Sequence, residues 1–304
     1  MLVARALKNS QLTCGERYAY FGDRTPVCIA HQPGNFPVGL FTRFFKMLSS
    51  IAAHRTDPVL ENLRCAACGI VALVAFTLGS ADAQTVLHAG PDKVSLVELY
   101  TSEGCSSCPP AESWLSALNH DSRLWKTIVP VAFHVDYWDD LGWKDRFSKR
   151  EYTLRQRSYS IAWGTSSVYT PEFIINGKEW KGWFAGESLS DQVEHAAGRL
   201  DVKVENGTVT VTFSGNSNEN ALDAHLAPLA MDISSEVRAG ENRGRKLSHS
   251  FVALDLVTVR MTGNNGIFTA ELPLKASGEV AALAVWVTPA GSLRPLQAAG
   301  GVIR

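Results

Sequence analysis

Residues 94–119 read VSLVELYTSEGCSSCPPAESWLSALN, and the reading of this stretch decides the rest. Five of its first seven residues are apolar, three of them β-branched or aromatic, the composition of a buried strand. From Pro109 the apolar positions Trp114, Leu115 and Leu118 recur at helical spacing. Proline is tolerated in a first helical turn because its missing N–H has no partner there anyway. Cys105 and Cys108 therefore fall in the turn between a strand and a helix N-terminus, where backbone N–H groups stabilise a thiolate. Cys105, ahead of the helix, is expected to be the exposed nucleophile. Cys108, beside Pro109, is expected to be the tucked-in resolving thiol that releases a mixed disulfide. The competing reading is a plain staple, but closing so short a loop returns only about 2 kcal/mol. A zinc knuckle would need a second ligand pair downstream.

Working outward, 128–137 (IVPVAFHVDY) predicts a second strand, and Ser148 with Glu151 predicts a capping box opening a helix to about Ala162. Segments 173–176 and 179–183 flank Asn176-Gly177, a hairpin signal, and a further helix is expected over 189–198. The order is β-α-β-α-β-β-α. From residue 200 strand-like alternation dominates, in 201–205, 208–213, 221–226, 250–261, 267–274 and 280–287, with turns at Asn206-Gly207, Asn264-Asn265-Gly266 and Ala290-Gly291. Short strands at that spacing predict a C-terminal antiparallel β-sandwich-like domain.

The N-terminal 83 residues read as processing. Residues 66–78 (AACGIVALVAFTL) form an apolar run behind Arg64, and Ala81 and Ala83 make an A-x-A cleavage site. That is the order of a secretory signal peptide cut after Ala83. About 13 apolar residues fall short of the roughly 20 that span a bilayer, so membrane contact is expected only through an uncleaved signal. Met47 lies nearer the run than Met1 and is an alternative start. Cys65 and Cys68 sit on the run and leave with it, and Cys14 and Cys28 precede it, so the mature chain keeps only Cys105 and Cys108. A periplasmic or secreted location would oxidise that pair. The expected domains are 1–83, 84–199 and 200–304. Of 304 residues 45% are hydrophobic, enough for a real core. From residue 84 onward 21 basic residues face 25 acidic ones, which offers no footprint for a phosphate backbone and excludes nucleic acid as a partner.

Three further residues are candidates near the pair. His134 and Asp136 alternate at the end of the second strand, where the histidine promotes a thiolate, ligates a metal or is simply held by Asp136 or Asp139. Glu98, in the strand before the pair, is either a buried proton acceptor or outward-facing. Trp138, Trp143, Trp163, Tyr169 and Trp183 are expected to pack the core, with a minority forming an apolar groove for unfolded peptide. Arg243, Arg245 and Lys246, in a glycine-bounded loop, are expected to be a solvated turn tip.

The run from Glu98 to Cys108 resembles the active-site stretch of glutaredoxins, a strand ending in Tyr-Thr followed by Gly-Cys-x-x-Cys. Thr170-Pro171 leading into EFIING at 172–177 is similar to that superfamily's second signature. The resemblance implies a thioredoxin-like fold with Pro171 as the cis-proline and Thr170 offering backbone hydrogen bonds to substrate. Together with Phe133–Asp139, Gly142–Lys144, Tyr169–Pro171 and Gly240–Gly244, these motifs resemble an uncharacterised family of secreted bacterial proteins over about 94–304. The expected fold class is thus α/β, a thioredoxin-like domain followed by the sandwich-like one. The expected function is exported thiol–disulfide oxidoreduction by Cys105 and Cys108, with protein or small-molecule thiols and disulfides as partners and no cofactor. Two alternatives stay open: a periplasmic copper or zinc binder using Cys105, Cys108 and His134, and a non-enzymatic thioredoxin-fold binding module.

Overall fold

The computed structural model describes residues 85–189, 197–215, 221–274 and 279–303. The signal segment, the four upstream cysteines and most of the helix expected over 189–198 lie outside these residues. The described residues belong to one compact unit.

The expected fold class is overturned. The chain is mostly β, arranged in several sheets, with two α-helices among the described residues: α1 (Pro109–Ala117) and α2 (Arg150–Ala162). Strands β2 (Ser95–Thr101), β3 (Ile128–His134), β4 (Glu172–Ile175) and β5 (Lys178–Glu179) do not make a sheet of their own. They join β8 (Leu222–Ala230), β11 (Val252–Ala253), β15 (Ala282–Pro289) and β16 (Gln297–Val302) in one large sheet of order β16-β15-β8-β11-β3-β2-β4-β5. The join is local. Val252 of β11 pairs in parallel with Ala132 of β3 and antiparallel with Ala230 of β8, and the Ala132 N–H donates to the Phe251 carbonyl at 2.8 Å. β12 (Val257–Arg260) pairs the other end of β8. No self-contained thioredoxin-like layer and no separate sandwich result, because the free edge of β3 is consumed by the C-terminal half.

Why the alternation misled is visible in β8. All nine of its residues are buried, Asp223 and His225 included, so it is a central strand covered on both faces. Asp223 is held by Arg260 and the Gly291 N–H, and His225 by the hydroxyls of Thr258 and Thr288. Strands with true alternation fall elsewhere. β7 (Thr208–Ser214) buries every second residue and lies in an antiparallel sheet of order β1-β6-β7-β14-β13, with β1 (Thr85–Ala89), β6 (Arg199–Glu205), β13 (Thr262–Asn264) and β14 (Ile267–Pro273). Gln297 ties the two sheets: its amide donates to the carbonyls of Gly90, Asp92 and Gly198 and accepts from the Val94 N–H. A two-stranded ribbon, β9 (Ile233–Glu236) with β10 (Lys246–His249), packs beside α1.

Local signals behave as their physics dictates. At both Asn176-Gly177 and Asn206-Gly207 the two residues have positive φ, the backbone that a two-residue hairpin with the strands' own twist requires. The capping box does not form. Lys149 occupies the cap position without a side-chain bond, while Ser148 donates to Asp139 at 2.7 Å. α2 still buries Tyr152, Arg155, Gln156 and Tyr159, one face at helical spacing. No helix among the described residues is long and apolar enough to cross a membrane.

Candidate functional site

Strand β2 sorts its side chains onto two faces. Val97 and Leu99 pack with Ala111 and Leu115 of α1, whereas Leu96 and Tyr100 pack with Tyr152 and Tyr159 of α2. Cys105 and Cys108 lie where β2 turns into α1 and are joined by a disulfide. Pro109 and Pro110 occupy the first helical positions, and the Cys108 carbonyl accepts from the N–H groups of Ala111 and Glu112. The sulfur of Cys105 stands 3.8 Å from the Thr170 carbonyl, and the Thr170–Pro171 peptide is cis.

Neither cysteine is solvent-accessible, so the expected exposure of Cys105 is not what the fold provides. Three groups roof the turn. Asn242 donates to the carbonyls of Glu103 and Cys105, both at 2.9 Å, and the Glu241 carboxylate accepts from the Ser106 N–H at 3.0 Å. Trp138 donates its indole N–H to the Thr170 hydroxyl at 2.8 Å. Trp138 also backs onto Gly104, where an added Cβ would stand 3.0 Å from the indole side chain's own Cβ. Glu241 and Asn242 belong to the glycine-bounded loop, whose Arg243, Arg245 and Lys246 are exposed.

The candidates separate. Glu98 lies on the α2 face, away from the sulfurs, ion-paired to Arg155 at 2.8 Å and hydrogen-bonded by Tyr100 and Tyr159. Asp136 accepts from the Thr153 hydroxyl rather than meeting His134. His134, opposite Thr101 in the β2–β3 register, faces α1 and donates Nδ1–H to Asp145 at 2.6 Å. Its neighbour is His249 of β10, ring centroids 5.3 Å apart, with Phe147 packed edge-on against both. His249 bonds through Nδ1 to Glu112 of α1, and Glu112 also accepts from the Thr101 hydroxyl at 2.5 Å. Glu103 completes the group, held by the Trp143 indole at 2.7 Å and by its own N–H to Asp145.

This buried cluster escaped the sequence reading. Glu112 does share the inward face of α1 with Cys108 and Leu115, a spacing that marks it as non-solvent. His249 is 137 residues from its partner, and no spacing rule reaches that far. The electrostatics follow from the carboxylates. Burial pushes the His249 pKa down, but the Glu103 and Glu112 carboxylates beside its ring override it and carry it up to about 10. His134 rises likewise, its burial outweighed by Asp145, while Glu112 falls because His249 outweighs its desolvation. The pocket is built to attract positive charge.

The protein-family profile that describes a protein of unknown function, DUF1223, matches residues 96–288. The chain belongs to that family. Among solved structures, this DUF1223 protein is similar to protein AGR_C_4864 from Agrobacterium tumefaciens, at 26% identity and a TM-score of 0.52 over 69% of this chain and 95% of that one. HBP35 of Porphyromonas gingivalis matches at 16% identity and a TM-score of 0.49, over 71% and 76% of the two chains. No curated protein matches the chain.

Beside the cis peptide, buried Glu172 is pushed up to about 7, chiefly by loss of solvation and against a hydrogen bond from Gln156. A raised carboxyl pKa contributes stability below its unfolded value near 4.5, and that contribution is lost as pH rises through about 7. Glu172→Gln keeps an acceptor for Gln156 without the charge. Urea denaturation is expected to find the variant more stable than wild type by about 1–2 kcal/mol at pH 8, after allowance for solvent screening, and equal to it at pH 4. Equal stabilities at both pH values would show that Glu172 stays solvated.

Proposed function

We propose that this DUF1223 protein is a thiol–disulfide oxidoreductase working through the Cys105–Cys108 disulfide. The observation that carries the reading is the placement of the disulfide at the N-terminus of α1, with the Cys105 sulfur against the Thr170 backbone carbonyl. A helix N-terminus favours the thiolate that leaves when the bond opens. A substrate thiolate attacks the Cys105 sulfur, the S–S bond breaks and Cys108 departs as thiolate. A second substrate thiol, losing its proton to water, attacks its partner's sulfur in the mixed disulfide and frees Cys105. The substrate dithiol is oxidised by two electrons and the protein pair is reduced by two, and the reverse sequence reduces a substrate disulfide. Partners on this reading are protein or small-molecule thiols and disulfides, met in an oxidising compartment outside the cytoplasm.

The roof of Glu241, Asn242 and Trp138 must part for attack, and that gives a clean test. Reduction of the disulfide by dithiothreitol under native conditions is expected to outpace global unfolding, because only a local opening is needed. Cys108→Ser should accumulate a mixed disulfide on Cys105, and Cys105→Ser should abolish exchange with glutathione and with scrambled protein substrates. A reduction rate equal to the unfolding rate, with no adduct on Cys108→Ser, identifies a staple and overturns the proposal. The alternative with Cys105, Cys108 and His134 as metal ligands finds no support here, since both sulfurs are engaged with each other.

A further inference from the structure

We propose that Glu112, His134 and His249 bind one divalent first-row transition-metal ion, with zinc as the ion their donor set suits, in the buried layer beneath the Cys105–Cys108 turn. This site uses no sulfur and stands independently of the oxidoreductase reading. One ligand atom from each of the three residues lies within 4.8 Å of the others, and all three side chains are buried. Two imidazoles and a carboxylate form the ligand set of open, three-ligand zinc centres, and of iron centres with vacant positions.

The second observation is a buried ring nitrogen without a partner. Among the described residues six buried side-chain polar atoms lack a hydrogen-bond partner, and three of them are His134 Nε2, His249 Nε2 and Glu103 Oε1. His249 Nε2 and Glu103 Oε1 face each other at 3.3 Å as an ion pair, which leaves His134 Nε2 as the atom with no partner, and a buried orphan nitrogen is what an ion or ligand satisfies. The His134 orphan is explained directly. Asp145 holds Nδ1–H, which makes Nδ1 the bonded nitrogen and leaves Nε2 as the ligand position without a partner. His249 has the same arrangement in mirror form. Its Nδ1 meets Glu112, while its Nε2 lies 3.3 Å from Glu103 without the alignment of a hydrogen bond. When Nδ1 turns from Glu112 to the ion, Glu103 remains to orient the ring, and Trp143 in turn orients Glu103. Thr101 fixes the other oxygen of Glu112. Asp145 and Glu103 are thus positioning residues, and the three ligands come from α1, β3 and β10.

A route inward exists. A surface cleft of about 530 Å³ between the end of α1 and the β9–β10 ribbon is lined by Asn119, His120, Asp232, Ser248 and Ser250, and it reaches His249. The carboxylates of Glu103, Glu112 and Asp145 beside the two rings draw a cation along it.

The test uses the full oxidised chain, stripped with a chelator and then titrated with Zn²⁺ and separately with Co²⁺. One ion per chain is expected, with raised resistance to urea that the chelator reverses. Bound Co²⁺ should give visible ligand-field bands without sulfur-to-cobalt charge-transfer absorption. Asp145→Asn should weaken binding by about 10–100-fold, and His134→Gln and His249→Gln by more, with folding of each variant checked by circular dichroism. If the histidine variants do not fold, the wild-type stoichiometry and cobalt spectrum decide alone. No stoichiometric uptake by wild type, a sulfur charge-transfer band, or unchanged affinity in folded variants overturns the site.

Discussion

Replacing Arg155 with Met is expected to cost the protein about 3–5 kcal/mol. Arg155 and Glu98 are both buried, and the guanidinium bonds both carboxylate oxygens, at 2.8 and 3.1 Å. A carboxylate taken out of water is tolerated only with its counter-charge, so deleting the cation strands Glu98 with two tyrosine hydroxyls as its remaining donors. Packing adds to the loss, since the guanidinium lies 5.2 Å from the Trp286 ring centroid and 5.3 Å from that of Tyr159. The double variant Glu98→Gln/Arg155→Met removes both charges and should recover much of the deficit. Urea denaturation of wild type, both single variants and the double variant forms a complete cycle. A double variant as unstable as the sum of the singles would mean that packing, not charge pairing, dominates.

The second large effect is acid instability written into β8. His225 is clamped between the hydroxyls of Thr258 and Thr288 at 2.8 and 3.0 Å and stacked on Trp286. Burial disfavours its imidazolium and nearby Arg155 adds repulsion, so its pKa is driven down to about 3. A depressed histidine contributes stability above its unfolded value near 6.5, and that stability drains away as pH falls toward 3. By pH 4 the loss from this group alone amounts to about 3 kcal/mol. His225→Gln keeps polar atoms for the threonines and does not titrate. It should start less stable at pH 7, by roughly 1–2 kcal/mol for lost contacts, yet fall less steeply between pH 7 and pH 4. Parallel pH profiles of the two proteins would place the acid sensitivity elsewhere, among the carboxylates.

How much of the fold is legible in the sequence depends on range. Information held within a few residues was legible. The strand–turn–helix around Cys105 lies where its apolar pattern puts it, and both Asn-Gly hairpins form. Ser148 shows the limit of even local rules, because Asp139 competes successfully for its hydroxyl. Pairing across long stretches was not legible. Two residues, Val252 and Ala253, stitch β8 to β3, and no propensity scale distinguishes so short a strand from a loop. Burial of polar residues was equally hidden. Asp223 and His225 made β8 look half-exposed, whereas their partners arrive from β12, β15 and the turn at Gly291. The histidine–carboxylate cluster combines both difficulties, since its members are polar and come from distant strands.

The stitch at β11 also governs what happens to any shortened chain. Among its seven residues β3 has no exposed one, and on its outer side Phe251 and Val252 lie against Ala132, while the Trp125 and Lys149 N–H groups donate to the Ile128 and His134 carbonyls at its two ends. A fragment stopping near residue 199 would leave the middle of that edge bare, the Ala132 N–H first of all, along an apolar strand. Such an edge recruits whatever strand it meets, which in a concentrated solution is the same ribbon of another molecule. The two halves are therefore obliged to travel together from synthesis onward, each serving as the other's protection against self-association.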